Sequence, residues 1–494
     1  MKRSLAAFFL CTALGLAVVI VAAVNIYHTR DQVEVTEQVI YGDSQWLEGL
    51  SVTGEYTWED TLYWDISYSL DDVTTAQSSF EICPEGRSYD HSSSSSSTQV
   101  VYVDCFSDMG GSGTFAVDYM DFGSYTPVIQ DLYSQMKPGE SLTKTVNLSD
   151  YFEDYPLLFT IFTGNWMADE RDFLSMTEEE LADGEYLVTQ ENFDDLHDFF
   201  QIPMPEEAYV QITLETDGSG AISSYDIQLI SDLDSFYFTG VEGENAIYIT
   251  IQTSGRNSEC DFSQIPGGLG VYRLPYLTQD SVPVLYTEQL ETVCSLPENV
   301  QVEYLELSDT GSQIFVEGKV DGEAQLWVIG QESGEVRQVI PLSLNSVRAF
   351  QIEENDLLFF QDNGVFTLLE RQKDLSWQVA LTSTIPPDEK MGLESEYGSI
   401  ILERFLNTQN VLMNWDGSTL ALATLGNGYQ YDPEASSLTV AVFDENGLQY
   451  LGQFDLSLAE QVEYLDSDGF TGQVVMPAGW RYGTATSGFA LTRQ

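Results

Sequence analysis

Basic residues are scarce: 18 Lys and Arg stand against 79 Asp and Glu in 494 residues, a formal net charge of −61. Gripping a phosphate backbone takes clustered Lys and Arg, so the balance argues against nucleic acid or an anionic membrane surface as the main partner. Histidine is scarcer still, at 3. A Ser-His-Asp system would have to use His91 or His197, since His28 lies beside the apolar N-terminal stretch, and neither accompanies a nucleophile motif. HExxH, P-loop and GxGxxG patterns do not occur, which removes the usual signatures of zinc proteolysis, nucleotide hydrolysis and dinucleotide binding.

Cysteine numbers only 5, without a CxxC spacing that would suggest zinc or a redox pair. Cys11 sits inside an apolar stretch, and Leu10 stands where a lipid-attachment motif wants a small residue. Cys83, Cys105, Cys260 and Cys294 form an even set and are the disulfide candidates of an exported segment. Three pairings are open. Proximity favours Cys83 with Cys105 and Cys260 with Cys294, and four buried thiols are the alternative.

Apolar residues are plentiful, at 43% hydrophobic and 12% aromatic, so the chain is far from the composition of a disordered acidic polymer. Its length allows about three domains. After Lys2 and Arg3, residues 4–24 carry no charge, enough for a helix spanning about 30 Å of hydrocarbon. A secretory signal usually has a shorter apolar stretch of about 7 to 15 residues, so an uncleaved transmembrane signal anchor is expected; Ala22 and Ala23 keep cleavage as the other reading. The basic residues before the span and the acidic Asp31 and Glu34 after it put the N-terminus in the cytoplasm and the rest outside the cell. The expected localisation is therefore the cell membrane, single-pass.

Residues 31–204 read as a β-rich region with short helices. GLSVTGEYTW and TLYWDISYSL, at 49–58 and 61–70, alternate at period two, as half-buried strands do. SSSSSST at 92–98 reads as a loop tip. Helices are expected at 126–136 and around 191–200, and Thr177 with Glu180 has capping-box spacing.

Residues 205–494 are almost purely strand and turn. Asp217-Gly218, Asp321-Gly322, Asn363-Gly364, Asp416-Gly417 and Asn446-Gly447 stand between β-rich runs, and such dipeptides supply the positive φ of tight hairpins. QIFVEGKVDGEAQLWVIG from Gln313, DLLFFQDNGVFTLLER from Asp356 and NVLMNWDGSTLALAT from Asn410 repeat a strand-turn-strand pattern, with starts 43 and 54 residues apart. A further copy starts at Asn245. This spacing is near a propeller blade of roughly 40 to 50 residues, and the region has strands for about six blades. The fold expected is mainly β: an N-terminal transmembrane helix (1–30), the β-rich region (31–204) and a β-propeller-like domain (205–494), with tandem β-sandwiches as the alternative.

The sharpest local motif is ETDGSGAISSYD, 215–226. Asp217, Ser219, Gly220, the Ala221 carbonyl and Asp226 fall on EF-hand positions 3, 5, 6, 7 and 12. Glu at position 1, Asp at position 12 and strand-like flanks instead favour a hairpin turn without metal. SQMK (134–137) and SLTK (141–144) match Ser-x-x-Lys but have no SDN or KTG companion. Trp46, Trp58, Trp64, Trp166, Trp327, Trp377, Trp415 and Trp480 could stack on sugars, though aromatics alternating along strands usually form sheet core. Among 79 carboxylates no acid/base pair can be singled out.

Five stretches, YGDSQWLEGLSV near 41, GESLTKTVNLSDYFEDYPL at 139–157, FFQIPMPEE at 199–207, NWDGSTLALA at 414–423 and SLTVAVFDENGLQYLGQFDLSL at 437–458, resemble a group of membrane-anchored exported bacterial proteins of unknown function. The resemblance implies a β-rich part followed by a propeller-like part and transfers no catalytic residue. The function expected is a membrane-anchored extracellular binding, scaffold or sensor protein with a protein or glycan ligand, more in keeping with the sequence than an enzyme. An exported carboxylate-dependent glycan hydrolase is the alternative. No catalytic residue, metal ligand or cofactor is nominated.

Overall fold

The computed structural model describes residues 15–17, 20–21, 33–58, 62–82, 101–107, 111–114, 125–163, 166–170, 188–233, 235–253, 260–279, 282–308, 310–347, 349–353, 357–386, 411–425, 437–456 and 490–493. Within them the chain is mainly β and divides into two compact units, 1–96 with 348–494 and 97–347.

Among the described residues the first unit contains three antiparallel sheets. One runs Ala490–Arg493, Leu50–Trp58, Leu62–Ser69, Gln77–Ile82, so a strand near residue 490 completes a sheet begun near residue 50. A second places Val35–Gly42 beside Gly447–Leu456, followed by Ser437–Asp444, Leu420–Leu425 and Leu412–Trp415. The third is a meander of Ala349–Glu353, Leu357–Asp362, Val365–Arg371 and Trp377–Thr384. Four-strand meanders of this kind have blade connectivity. Their middle strands are buried on both faces, which explains why they read as continuous apolar runs. Phe366 and Phe443 meet edge to face at 4.9 Å, a packing worth about 0.5–1.5 kcal/mol beyond burial.

The second unit has a four-stranded sheet (Gly111–Thr114, Ile222–Leu229, Tyr209–Thr216, Ser141–Asn147), an eight-stranded sheet and a further four-strand meander. The eight-stranded sheet contains Phe236–Glu242, Ala246–Thr253 and Gly270–Gln279 side by side, with Glu291–Ser295 on the last of these. The meander is Gln301–Leu307, Gln313–Val320, Glu323–Gly330 and Val336–Pro341. Helices form at Thr126–Tyr133 and Gln190–Phe199, close to where the apolar spacing predicts them. The second is held at its start by a capping box of Thr189 and Asn192, and it buries Phe193 and Leu196. Phe200, just past its end, stacks edge-on against Phe238 at 4.6 Å and Tyr272 at 5.1 Å.

Turn chemistry follows the dipeptides at two of the five positions. Asp321 (φ 53°) with Gly322 (φ 84°), and Asn363 (φ 47°) with Gly364 (φ 85°), each close a two-residue hairpin. Both central residues there need positive φ, which Asp, Asn and Gly tolerate best. The Asp217 and Asp416 turns are longer, with Gly220 and Gly417 carrying the positive φ.

The transmembrane helix expected over 4–24 is not supported: no helix among the described residues is long and apolar enough to cross a membrane. Crossing takes about 20 consecutive helical residues, whereas the described helical residues of that stretch are 15–17 and 20–21. The remaining residues of 4–24 lie outside the described ones. With the helix, the expected single-pass localisation in the cell membrane is not supported. Also outside the described residues are Cys11, His28, Cys83, His91, the serine run at 92–98, the Thr177 and Glu180 pair, and Trp480.

Candidate functional site

Strand Gln301–Leu307 buries Val302 and Leu305, three residues apart, although strict alternation would send them to opposite faces. A β-bulge resolves the conflict. Val302 pairs with Gly318 and Tyr304 with Glu317, leaving Glu303 unpaired between them. A bulge bends its strand and re-aims the extra side chain. Gly318 makes the approach possible: a Cβ there would lie 2.7 Å from the Gln301 carbonyl oxygen.

The re-aimed Glu303 carboxylate is heavily engaged. It forms an ion pair with Lys319. It also accepts from Ser346 Oγ at 3.2 and 3.3 Å and from the Val347 N–H at 3.1 Å. Its backbone carbonyl accepts from Gln252 Nε2. Glu317, two residues before Lys319, is only 1% exposed, and neither of its carboxyl oxygens receives a hydrogen bond among the described residues. Burial first, then the Glu303 carboxylate, push Glu317 up to about 9, against an opposing pull from Lys319. Burial, with Glu317 and Glu303 nearby, also raises Tyr304. A carboxyl without donors in a low-dielectric place is shifted toward its neutral form.

Beside this cluster lies a cavity of about 580 Å³, lined by Tyr237, Thr239, Gln252, Thr253, Gln301, Val302, Glu303, Tyr304 and Val347. Tyr237 and Gln252 are direct cross-strand partners and so share one face of the sheet. Gln301 Nε2 reaches the Thr253 carbonyl at 3.4 Å. The amide oxygens of Gln252 and Gln301 accept no hydrogen bond among the described residues.

The other end of strand Ala246–Thr253 borders a second cavity of about 620 Å³. Its walls include Glu244, Asn245, Arg273, Glu291, Thr292 and Ser333. Arg273 and Glu291 are cross-strand partners joined by an ion pair at 3.1 Å, so this arginine is already committed.

The residues singled out by sequence are dispersed. His197 is half-buried on its helix, with Nε2 2.7 Å from Glu170 and its ring edge-on to Phe159 at 4.9 Å. Glu170 is buried and also accepts from the Phe159 N–H at 3.0 Å, so this pair is fixed to the core, and no Ser, Thr or Cys is bonded to His197 among the described residues. The 215–226 segment is a hairpin turn. Asp217 Oδ1 accepts from Ser219 N–H and Oγ and from the Ala221 N–H, while Glu215 and Asp226 stand on opposite strands engaged by Ser224 and Gln228. Those Asp217 bonds, Ser219 Oγ foremost, hold its carboxyl below the usual range. Among the described residues there is no group of three or more His, Cys, Asp or Glu placed to hold a metal.

Lys137 and Lys144 of the two Ser-x-x-Lys matches are exposed, Lys144 within strand Ser141–Asn147. Trp327 and Trp377 are buried, and Trp46 and Trp415 pack half-buried against core clusters. Cys260 is half-buried and Cys294 buried, both as thiols. Cys105 lies on strand Val101–Ser107, opposite Phe159.

No family model matches the chain, and no curated protein matches it. Solved structures similar to it include a candidate 6-phosphogluconolactonase from Bacteroides fragilis, at 6% identity over 82% of this chain and 94% of that one, TM-score 0.27. The periplasmic gluconolactonase of Pseudomonas aeruginosa is similar at 12% identity over 50% and 64%, TM-score 0.23. The Cps50 β-propeller domain of Myceliophteria thermophila is similar at 7% identity over 49% and 79%, TM-score 0.23.

Proposed function

We propose that the chain is a binding protein and that the cavity walled by Tyr237 and Tyr304 takes a neutral, hydroxyl-rich ligand of the glycan class. The observation that carries this reading is the chemistry of the lining. Two tyrosine rings offer apolar faces, Thr239, Thr253, Gln252 and Gln301 offer hydroxyl and amide groups, and the carboxylate of Glu303 is neutralised by Lys319. A few polar groups beside aromatic walls suit a ligand that presents both C–H faces and hydroxyls. A strongly cationic or anionic ligand would meet no uncompensated charge there.

Glycan hydrolysis finds less support. Two carboxyls flanking a glycosidic bond must both reach the substrate, about 5 to 10 Å apart. Glu317 is buried, and the oxygens of Glu303 are held by Lys319, Ser346 and Val347.

The test is calorimetric titration of the full chain with maltohexaose, cellohexaose, xylohexaose and chitohexaose. At least one is expected to bind, and Tyr237→Ala to weaken that binding about tenfold, the equivalent of roughly 1.4 kcal/mol of lost stacking. Heatless titrations with all four, or unchanged affinity in the Tyr237→Ala chain, would overturn the reading.

A further inference from the structure

The Glu303, Lys319 and Glu317 cluster holds two acids and one base, and its geometry is asymmetric. Glu303 has an ammonium, a hydroxyl and a backbone N–H around its oxygens. Glu317 has none of these, lies 1% exposed, and stands in a run of six buried residues, Gln313–Gly318. Across the ladder it faces Tyr304 on one side and Leu326 on the other; the charges that act on it are Glu303 and Lys319, while Glu306, on the Tyr304 strand, is itself pushed up to about 7 by burial, and Glu323 starts the Leu326 strand. An ionised Glu317 would leave a bare carboxylate beside a second one, which a low-dielectric interior penalises heavily. A protonated Glu317 has one O–H to give, and Glu303 is the acceptor at hand.

We propose that Glu317 stores a proton beside the cavity and that this proton sets the cavity's charge. With it, the cluster is Glu303⁻, Lys319⁺ and a neutral acid, net zero; when it leaves to solvent, the cluster becomes −1 and Lys319 is shared between two carboxylates. Glu303 then relaxes its hold on Lys319, and Ser346 and Val347, which grip the same carboxylate, feel the change; Val347 lines the cavity. Uptake of a neutral ligand is thereby tied to pH on the alkaline side. Only this last consequence rests on the glycan reading, so the deciding measurement is made without ligand and a failure of either is told apart.

The measurement is infrared spectroscopy of the full, ligand-free chain, following the carbonyl stretch that a protonated carboxyl has and a carboxylate lacks. At pH 7 the wild-type minus Glu317→Gln difference is expected to contain that band, and the band is expected to fade as pH is raised toward 10. In Glu303→Gln, burial of Glu317 remains but Lys319 is left to pair with it, so the band is expected to fade at lower pH than in the wild type. A pH 7 difference spectrum without the band, or a band that fades over the same pH range in Glu303→Gln as in the wild type, would overturn the proposal. Should a variant fail to fold, the wild-type titration decides above the range of Glu306, which burial pushes up to about 7: no protonated-carboxyl band disappearing between pH 8 and 10 refutes the stored proton.

Discussion

Tyr450 donates a hydrogen bond of 2.8 Å to Glu37, a residue 413 positions earlier in the chain. The bond closes the seam where strand Val35–Gly42 pairs with Gly447–Leu456. Tyr450 is fully buried, and burial together with Glu37 raises its phenol well above the ordinary value, so it stays a donor throughout the accessible pH range. Its hydroxyl occupies the space a side chain at position 452 would need: a Cβ on Gly452 would meet it at 1.9 Å.

Tyr450→Phe is therefore expected to destabilise the first unit by about 1.5–3 kcal/mol, the range for a hydrogen bond to a charged group. Urea unfolding followed by circular dichroism measures it. An unchanged midpoint would mean that the seam does not depend on this bond.

Arg493 secures the second closure. It pairs with Asp416, donates to Thr419 Oγ1 at 2.5 Å and reaches the Trp46 carbonyl at 3.3 Å, so the last short strand is tied to two distant segments. Partial burial lowers its guanidinium from the ordinary value, a sign of desolvation that these partners offset. Removing one partner of a buried pair costs about 3–5 kcal/mol; with side chains 21% and 26% exposed here, solvent screening reduces that to about 1–3 kcal/mol for Arg493→Ala. Asp416→Asn, which keeps the hydrogen-bonding shape, should cost less. Equal losses in the two variants, compared by thermal unfolding, would mean that the charge of Asp416, not its hydrogen-bonding shape, carries this closure.

Much of this architecture is legible in the sequence and part of it is not, for physical reasons. The hairpins at Asp321-Gly322 and Asn363-Gly364 can be read because positive φ restricts the residue types, and the helix at 190–199 because its apolar spacing is helical. The pairing of residue 50 with 493 is invisible, since nothing local encodes which strand fills a sheet edge. Glu303 and Glu317 are hidden among 79 acids, and neither is nominated from the sequence. The signals that could have found them are an acid inside the apolar run QIFVEG and Val302 with Leu305 out of phase for a regular strand. The cavity's tyrosines carry no signal of their own, because a wall residue and a core residue alternate alike.

Gly318 permits the bulge, so Gly318→Ala should push apart the strands that place Glu303. The added Cβ would meet the Gln301 carbonyl, a backbone atom that cannot rotate away. A loss of about 1–3 kcal/mol is expected, the usual cost of overpacking. Gly218→Ala is the control: its Cβ would meet nothing within 4 Å, and its φ is not positive. That change should stay within about 0.5 kcal/mol of wild type. Thermal unfolding of both chains tests the contrast, and equal midpoints would remove the steric account of the bulge.

Glu317 predicts the pH dependence of stability. Its ordinary value of 4.5 applies in the unfolded chain and about 9 in the folded one. Below pH 4.5 both states hold the proton and the group contributes no slope. Between 4.5 and 9 the folded state keeps a proton that the unfolded state has released, so stability falls as pH rises, by at most about 1.4 kcal/mol per pH unit from this group. Above 9 the slope ends. Glu317→Gln keeps a neutral side chain of the same shape and has no proton to lose. It should therefore match or exceed wild type at pH 7 and pull further ahead at pH 8 and 9, as read from urea midpoints at each pH. Two curves that stay parallel from pH 6 to 9 would show that Glu317 carries no folding-linked proton.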